Sequence, residues 1–456
     1  MYGVILKDVE MKDLTKGNII KLLLAFSIPL LIGNVFQQLY NIVDTKVVGE
    51  LLGEDALAAI GASSPLFSLI FGAVNGMGNG FGIVVSKYYG SKDMNRMRQA
   101  VANSIILSIS ITVVVTILAL AFLRPLLLVL NTPVEILPVC MAYIRIIIIF
   151  MLFTTAYNLC AAMLRALGDT IRPLIFLIIS TVINVGLDLF FVGVLRMGVQ
   201  GAAYATVIAQ AVSFICCIVY IAKKCPELHL QKTDFVLESS MLGDLLGQGA
   251  AMAFMLCFVS IGTLILQSAI NRFGTRTIAA HTIARKISEM GMLPFSTLGV
   301  AAATFTGQNL GAGQFKRIRR GMRDAILLSW IWATFVIIAI YAFAPVLIRL
   351  ISGATTQEII DTARWYLRFD TPFYYVLGIV IVVRNSLQGL GRKIIPMIAS
   401  GIELIGKLIV AWVLADRMGY FGIIISEPVT WIMMAILLTA AFLTDKRIQR
   451  KEDVEV

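Results

Sequence analysis

GEDALAAIGASSPLFSLIFGAVNGMGNGFGIVVSKYYGSKDMNRMRQAVANSIILS, residues 53–108, aligns without a gap to GTRTIAAHTIARKISEMGMLPFSTLGVAAATFTGQNLGAGQFKRIRRGMRDAILLS, residues 274–329, a shift of 221 residues. Self-similarity at this scale is the signature of an internal repeat. Ala58-Ala59 meets Ala279-Ala280, Gly90 meets Gly311, Arg96 and Arg98 meet Arg317 and Arg319, and Ser108 meets Ser329. Further along, Leu164-x-x-Leu167-Gly168 and Pro173 match Leu387-x-x-Leu390-Gly391 and Pro396 at a shift of 223, and Gly201 matches Gly422 at 221. Two Leu/Ile-rich segments resemble each other by composition, but composition does not reproduce Gly, Pro and Arg punctuation.

Around the repeat, 59% of the 456 residues are hydrophobic and 14% charged, with a mean hydropathy of +0.88, too apolar for a soluble domain. Apolar runs of about 20 residues, enough to cross a hydrocarbon core, recur at 18–45, 56–84, 100–123, 136–160, 172–195, 200–222, 245–271, 277–304, 324–347, 362–386, 394–415 and 420–443. The expected fold is all-α and integral to the membrane, with twelve transmembrane helices in two homologous six-helix bundles, 1–235 and 236–456. An even number of spans per half makes both halves enter from the same side, so a pseudo-twofold axis runs along the membrane normal and a binding cleft lies between the halves.

Residues 1–21 are of mixed charge without the pattern of a cleaved leader, so the first span is expected to persist. The six cysteines show no CxxC or pairing pattern and read as small core residues. A net charge of +11 could suggest nucleic acid, but its distribution speaks for topology. With the N-terminus inside, 25 of the 38 Lys and Arg fall in inner segments and seven in outer loops. Both termini are therefore expected in the cytoplasm, in a multi-pass protein of the plasma membrane with lipid, not nucleic acid, around it.

Ionisable groups inside spans mark ion or substrate pathways. Asp44 lies near the far end of the first span, Asn184 and Asp188 share one face of the fifth, and Thr206 lies in the sixth. At about 1.5 Å per residue, Asp188 is about 24 Å from the inner start of its helix and Thr206 about 9 Å below the outer start of its own. Two carboxylates, an amide oxygen and a hydroxyl form a hard donor set suited to Na⁺ or to a shared proton. Carried through the repeat, these positions become Ile265, Lys407, Ala411 and Glu427, so both carboxylates are lost and a cation has arrived. Glu403 stands one turn before Lys407, and Glu427 can approach from the last helix. These three are expected to form a permanent ion network in the second half. Gln37 and Tyr40 on the first span, and His281 and Arg285 on the eighth, are candidate cleft residues, with Glu289 on the same face as His281 and Arg285.

The chain resembles the multidrug and toxic compound extrusion (MATE) family over essentially its whole length. The resemblance rests on Ile28-Pro29-Leu30 with Asp44 fifteen residues after the proline, on Arg165-x-x-Gly168-Asp169-Thr170, on Asn184-x-x-x-Asp188 with Thr206, and on Gly307-Gln308-Asn309-x-Gly311-x-Gly313. It implies a secondary active multidrug efflux antiporter that exports cationic or amphipathic compounds in exchange for Na⁺ or H⁺ by alternating access; the working unit is expected to be a monomer. It also implies a coupling site at Asp44, Asn184, Asp188 and Thr206, and a helix hinge at Pro29. The chain departs from members with acidic residues in the seventh and tenth spans, since 247–271 has none and the tenth carries Asp370 near its start and Arg384 near its end. The alternative is a lipid-linked oligosaccharide or lipid flippase of the same superfamily, which favours a strongly cationic cleft. An enzyme is not expected, because no HExxH or paired catalytic aspartate signature is present and only two histidines exist, His229 and His281.

Overall fold

The computed structural model describes residues 13–130, 132–352 and 356–449. Lys7, Lys12, Arg450 and Lys451, four of the inner basic residues, and residues 1–12 of the leader argument lie outside the described residues. Among the described residues there are helices and no strands.

The first six are α1 (Ile19–Leu52), α2 (Glu54–Gly90), α3 (Met94–Val129), α4 (Leu137–Ile149 and Met151–Ala166), α5 (Ile171–Asp188) and α6 (Val199–Lys224). The second six are α7 (Ser239–Ile270), α8 (Thr275–Gly311), α9 (Phe315–Ser352), α10 (Gln357–Asp370 and Tyr374–Gly389), α11 (Ile394–Ile409) and α12 (Tyr420–Ile424 and Ser426–Leu443). Ten of these are long and apolar enough to cross a membrane, and α4, bent by 49° between its segments, makes eleven. The twelfth, α8, is 37 residues long but less apolar. Its first half carries His281, Arg285, Lys286 and Glu289, and its second is built largely from Gly, Ala, Ser and Thr. Several helices outrun the apolar spans, α2 reaching Gly90 and α8 Gly311, because backbone hydrogen bonding continues where hydropathy has already fallen.

The duplication is visible in backbone conformation. Gly53 and Gly274, just before α2 and α8, have φ of 84° and 82°, and Gly168 and Gly391, after α4 and α10, have 94° and 78°. These left-handed values strain any residue with a Cβ. A π-helical turn follows α5 at Leu189–Val194 and α11 at Val410–Leu414.

By packing, the chain divides into a first unit containing Ile28–Leu256 and a second containing Leu14–Ser27 and Cys257 onward. The boundary read at 235/236 belongs to the sequence duplication. Packing units and duplicated segments differ because α1 and α7 each run from one unit into the other. In the first unit α2 packs on α3 and on the second segment of α4, and α5 pairs with α6; in the second, α8 packs on α9 and α10, and α11 pairs with α12. Each unit has its own core, around Phe81, Met97 and Phe176 in the first and Phe295, Tyr374 and Trp431 in the second. Large apolar side chains such as Val129, Leu350 and Trp412 remain more than three-quarters exposed, as expected where lipid is the surrounding solvent.

Within the first unit α2 meets the start of α7 backbone to backbone. A Cβ on Gly76 would lie 2.9 Å from Ala253 backbone, and one on Gly80 2.6 Å from the Gln248 carbonyl. Small residues four apart allow this approach, as in other membrane helix pairs.

Candidate functional site: the acid pair and the cavity of the first unit

Asp188 is fully buried as the last residue of α5, where the π turn begins, and Asn184 lies one turn earlier, also buried. π turns widen a helix locally and concentrate at functional positions. From α1 the half-buried Asp44 brings its carboxyl within hydrogen-bonding reach of Asp188. Two carboxyl groups make such a contact only with a proton or a cation between them. One oxygen of each, Oδ1, is buried without a protein donor.

The surrounding groups orient this pair. With its amide turned to satisfy both ends, Asn184 donates through Nδ2 to Asp188 Oδ2 at 2.9 Å and to the Tyr40 hydroxyl at 3.3 Å, and its Oδ1 accepts the Thr206 backbone N–H at 3.1 Å. The hydroxyls of Tyr40 and Thr206 are 3.5 Å apart. The structure thus brings Asp44, Asn184, Asp188 and Thr206 together with Tyr40.

A cavity of about 280 Å³ opens in the same unit. Its polar wall comprises Asn34 and Gln37 of α1, Asn75 of α2, Asn158 and Arg165 of α4, and Gln210 of α6. Pro29 lines it as well, inside the unbroken α1 helix, where proline removes one backbone hydrogen bond and weakens the helix locally. Asp44 and Asp188 are not part of this wall. The turn after α4 is fixed by Asp169, whose Oδ1 accepts the N–H groups of Ile171 and Arg172 at 3.1 Å each, while Oδ2 accepts the Tyr220 hydroxyl at 3.2 Å. Burial pushes the Asp169 carboxyl above its usual value, against the pull of these hydrogen bonds and of Arg172.

In the second unit Lys407 Nζ lies 2.8 Å from Glu403 and 3.9 Å from Glu427, all three largely buried. Arg285 Nη1 donates to both oxygens of Glu427, at 2.8 and 2.7 Å, and Nη2 lies 3.7 Å from Glu289. Arg285 is therefore a member of the ion network through α12, more closely than through its own helix. His281 faces Tyr420, with Nδ1 3.1 Å from the hydroxyl. A cavity of about 240 Å³ borders His281, Arg285, Glu289 and Glu427.

Sequence reading did not single out Asn75, Asn158 or Gln210, and took Arg165 only as part of a turn. The repeat held the signal. At the matching places Asn158 becomes Ile381, Arg165 becomes Gln388 and Gln210 becomes Trp431, so the charge and two of the amides are particular to the first half.

Known proteins agree with this architecture. The chain is 29% identical over 423 residues to the probable multidrug resistance protein YoeA of Bacillus subtilis, covering 91% of both chains. It is 26% identical to the probable multidrug resistance protein NorM of Thermotoga maritima, over 93% of this chain and 92% of that one, and 22% identical to the multidrug export protein MepA of Staphylococcus aureus, over 97% and 98%. Among solved structures, an outward-facing multidrug resistance MATE family transporter of the MOP superfamily superposes with a TM-score of 0.88 at 23% identity, covering 98% of this chain and all of that one. A MATE structure in the bent conformation gives 0.85 at 24% identity, over 94% and 96%. At these identities the likeness establishes the shared fold. The MatE family model matches twice, over 29–190 and 251–413, once in each half of the duplication. These two matches together span most of the chain, a multi-pass membrane protein of twelve helices that belongs to the MatE family of transporters.

Proposed function

We propose that this protein is an ion-coupled multidrug exporter that moves amphipathic organic compounds, organic cations among them, by alternating access. The observation that carries the reading is the Asp44–Asp188 contact together with the position of α1, which holds Asp44 at one end and the cavity residues Pro29, Asn34 and Gln37 towards the other. A change in charge at Asp44 and a change in bend at Pro29 act on the same helix, so ion occupancy and cavity shape are linked. Such linkage gives exchange when ion and substrate favour different states of the carrier. The curated relatives are named for multidrug resistance and export, which favours this reading over the flippase alternative.

The coupling ion in this reading is the proton. Two facing carboxyls with unmatched Oδ1 atoms suit a proton taken up and released between them. The second unit, with Lys407 already seated between Glu403 and Glu427, carries a fixed cation and serves as a rigid partner. The lobes of this carrier correspond to the duplicated halves, 1–235 and 236–456. The protein works as a monomer with both termini in the cytoplasm, following the Lys and Arg distribution.

Proteoliposomes test this. Uptake of a cationic and of an anionic fluorescent dye is followed under an imposed pH gradient and, separately, a Na⁺ gradient, for wild type and Asp44→Asn. Transport of either dye driven by the pH gradient and lost in Asp44→Asn is the expected result. Transport driven by Na⁺ alone would overturn the proton assignment, and no gradient-driven transport of either dye would overturn the exporter reading.

A further inference from the structure

We propose that the first-unit cavity selects amphipathic ligands bearing a carboxylate, and that Arg165 is the residue that makes the selection. The inference rests on the exporter reading and narrows its substrate class away from simple cations.

Among the described residues that line the cavity, Arg165 is the one side chain that is charged at neutral pH; the other polar lining groups are amides and hydroxyls. Its partner in the protein is neutral, since Nη2 donates to Asn79 Oδ1 at 3.1 Å. Several other buried or partly buried arginines are matched with acids, although among the described residues Arg384 in α10, which lines no cavity described above, is not. Arg172 lies 3.7 Å from Asp169, Arg285 holds both oxygens of Glu427, and Arg392 lies 2.6 Å from Asp445. Among the described residues Arg165 makes no ion pair. A guanidinium has five N–H donors in a planar fork that fits a carboxylate, and one of these donors is satisfied by Asn79.

The rest of the wall describes the remainder of the ligand. Phe67 and Phe71 stack with ring centroids 4.2 Å apart along the cavity, a surface for an aromatic body. Gln210 Oε1 is buried without a donor, so the ligand also brings an N–H or O–H. Asp44 and Asp188 do not compete for it. Thr170, beside the cavity, opens α5, and Asp188 closes it eighteen residues later, roughly 27 Å along the helix. Negative charge for the coupling ion and positive charge for the ligand are thus kept at separate ends of one unit.

A plain reading makes Arg165 one more basic residue at the inner end of a span. That reading gives no preference for ligand charge inside the cavity, which is what an experiment can read. Purified full-length protein in nanodiscs of zwitterionic lipid is titrated with three probes sharing one dansyl body: dansylglycine as the anion, dansylglycinamide as the neutral form and dansyl-ethylenediamine as the cation. Binding is followed by dansyl polarisation against empty nanodiscs.

Wild type is expected to bind the anion at least about tenfold more tightly than either other probe. Arg165→Gln should remove the preference and Arg165→Lys should keep part of it. If Arg165→Gln does not fold, Asn158→Asp, which sets a carboxylate in the same wall and leaves Arg165 in place, should remove the preference equally. Tighter binding of the cation by wild type, an anion preference that survives Arg165→Gln or Asn158→Asp, or no saturable binding of any probe would each overturn the proposal. Binding is read without a gradient, so it stands or falls separately from the transport assay.

Discussion

Arg317 holds the backbone of Leu14. Its Nε and Nη2 donate to the Leu14 carbonyl at 3.3 and 3.2 Å, and Nη1 donates to the Gly17 carbonyl at 2.9 Å. The Leu14 N–H donates to Gln308 Oε1 at 3.0 Å, and Asn309 Nδ2 donates to the same carbonyl as Arg317 at 3.2 Å. The Gly307-Gln308-Asn309 motif is explained by this clamp, which fixes the segment leading into α1. In the first unit the segment leading into α7 is held similarly, by Asn103 Nδ2 on the Val236 carbonyl at 3.0 Å and by Arg96 on Glu238.

Removing the clamp should loosen that leading segment. Hydrogen bonds from a charged donor contribute roughly 1.5–3 kcal/mol each, and Arg317→Ala also leaves the Gly17 carbonyl without this donor. The expected result is a lower melting temperature in detergent and faster tryptic cleavage at Lys16 and Lys21, mapped by mass spectrometry. Cleavage at the wild-type rate would mean the clamp does not restrain the segment.

Lys407 sits buried between two acids. Deleting one member of a buried ion pair costs about 3–5 kcal/mol, because the partner is left charged and unmatched. Lys407→Met should therefore destabilise strongly, and Glu403→Gln added to it should recover part of the loss, since Glu427 keeps Arg285. A thermal-melt double-mutant cycle reads this coupling. Additive losses would show that Glu403 and Lys407 do not act as a pair.

Gly78 and Gly80 lie on one helix, two residues apart, in different surroundings. A Cβ at Gly78 meets nothing within 4 Å, while one at Gly80 would come within 2.6 Å of the Gln248 carbonyl. Gly78→Ala should be neutral or stabilising by about 0.5–1 kcal/mol through helix propensity. Gly80→Ala should destabilise by about 1–3 kcal/mol, the usual cost of overpacking. Equal melting temperatures for the two variants would exclude the close α2–α7 approach.

Asp445 supplies a pH dependence whose sign is fixed. Burial alone would raise its carboxyl, but the hydrogen bonds from Arg392 (2.6 Å) and the Arg447 amide (2.9 Å), with the charges of both arginines, outweigh burial and hold it below its usual value. A depressed folded-state value means that the contribution is present above the unfolded value, about pH 4, and is lost as the pH falls through the folded one. Asp445→Asn should therefore melt lower than wild type at pH 7, and the gap should close as the pH is taken below about 4. A gap that stays constant with pH would rule out ionisation of Asp445 as its source.

The membrane class, the helix count and the duplication could be read because each is written locally, in runs of about 20 apolar residues and in Gly, Pro and Arg repeated at a fixed shift. The polar residues inside the spans were also visible, since Asp44 and Asp188 stand out against an apolar background. What escaped was contact between residues far apart in sequence. Arg285 and Glu289 are one helical turn apart and suggested a pair, yet Glu427, 142 residues away, takes both hydrogen bonds. Arg165 looked like the end of a span, and the amides that make it part of a cavity are contributed by α1, α2, α4 and α6. The bend at Phe150 has no proline or glycine beside it, so nothing local announced it.

The paired π turns give the chain a chronology. A π turn is what a continuous helix keeps when a single residue is added to it and the neighbouring turns hold their register. One such turn follows α5 and another follows α11, starting at Leu189 and Val410, which are 221 residues apart. The shift in this stretch, where Asp188 matches Ala411, is 223, so the two turns start within two residues of matching places, as expected if the extra residue was already present when the half was copied. The two acids stand in one copy and Lys407 in the other, so these differences arose after the copying. On this order the insertion came first, the duplication second, and the divergence of the two polar sets last.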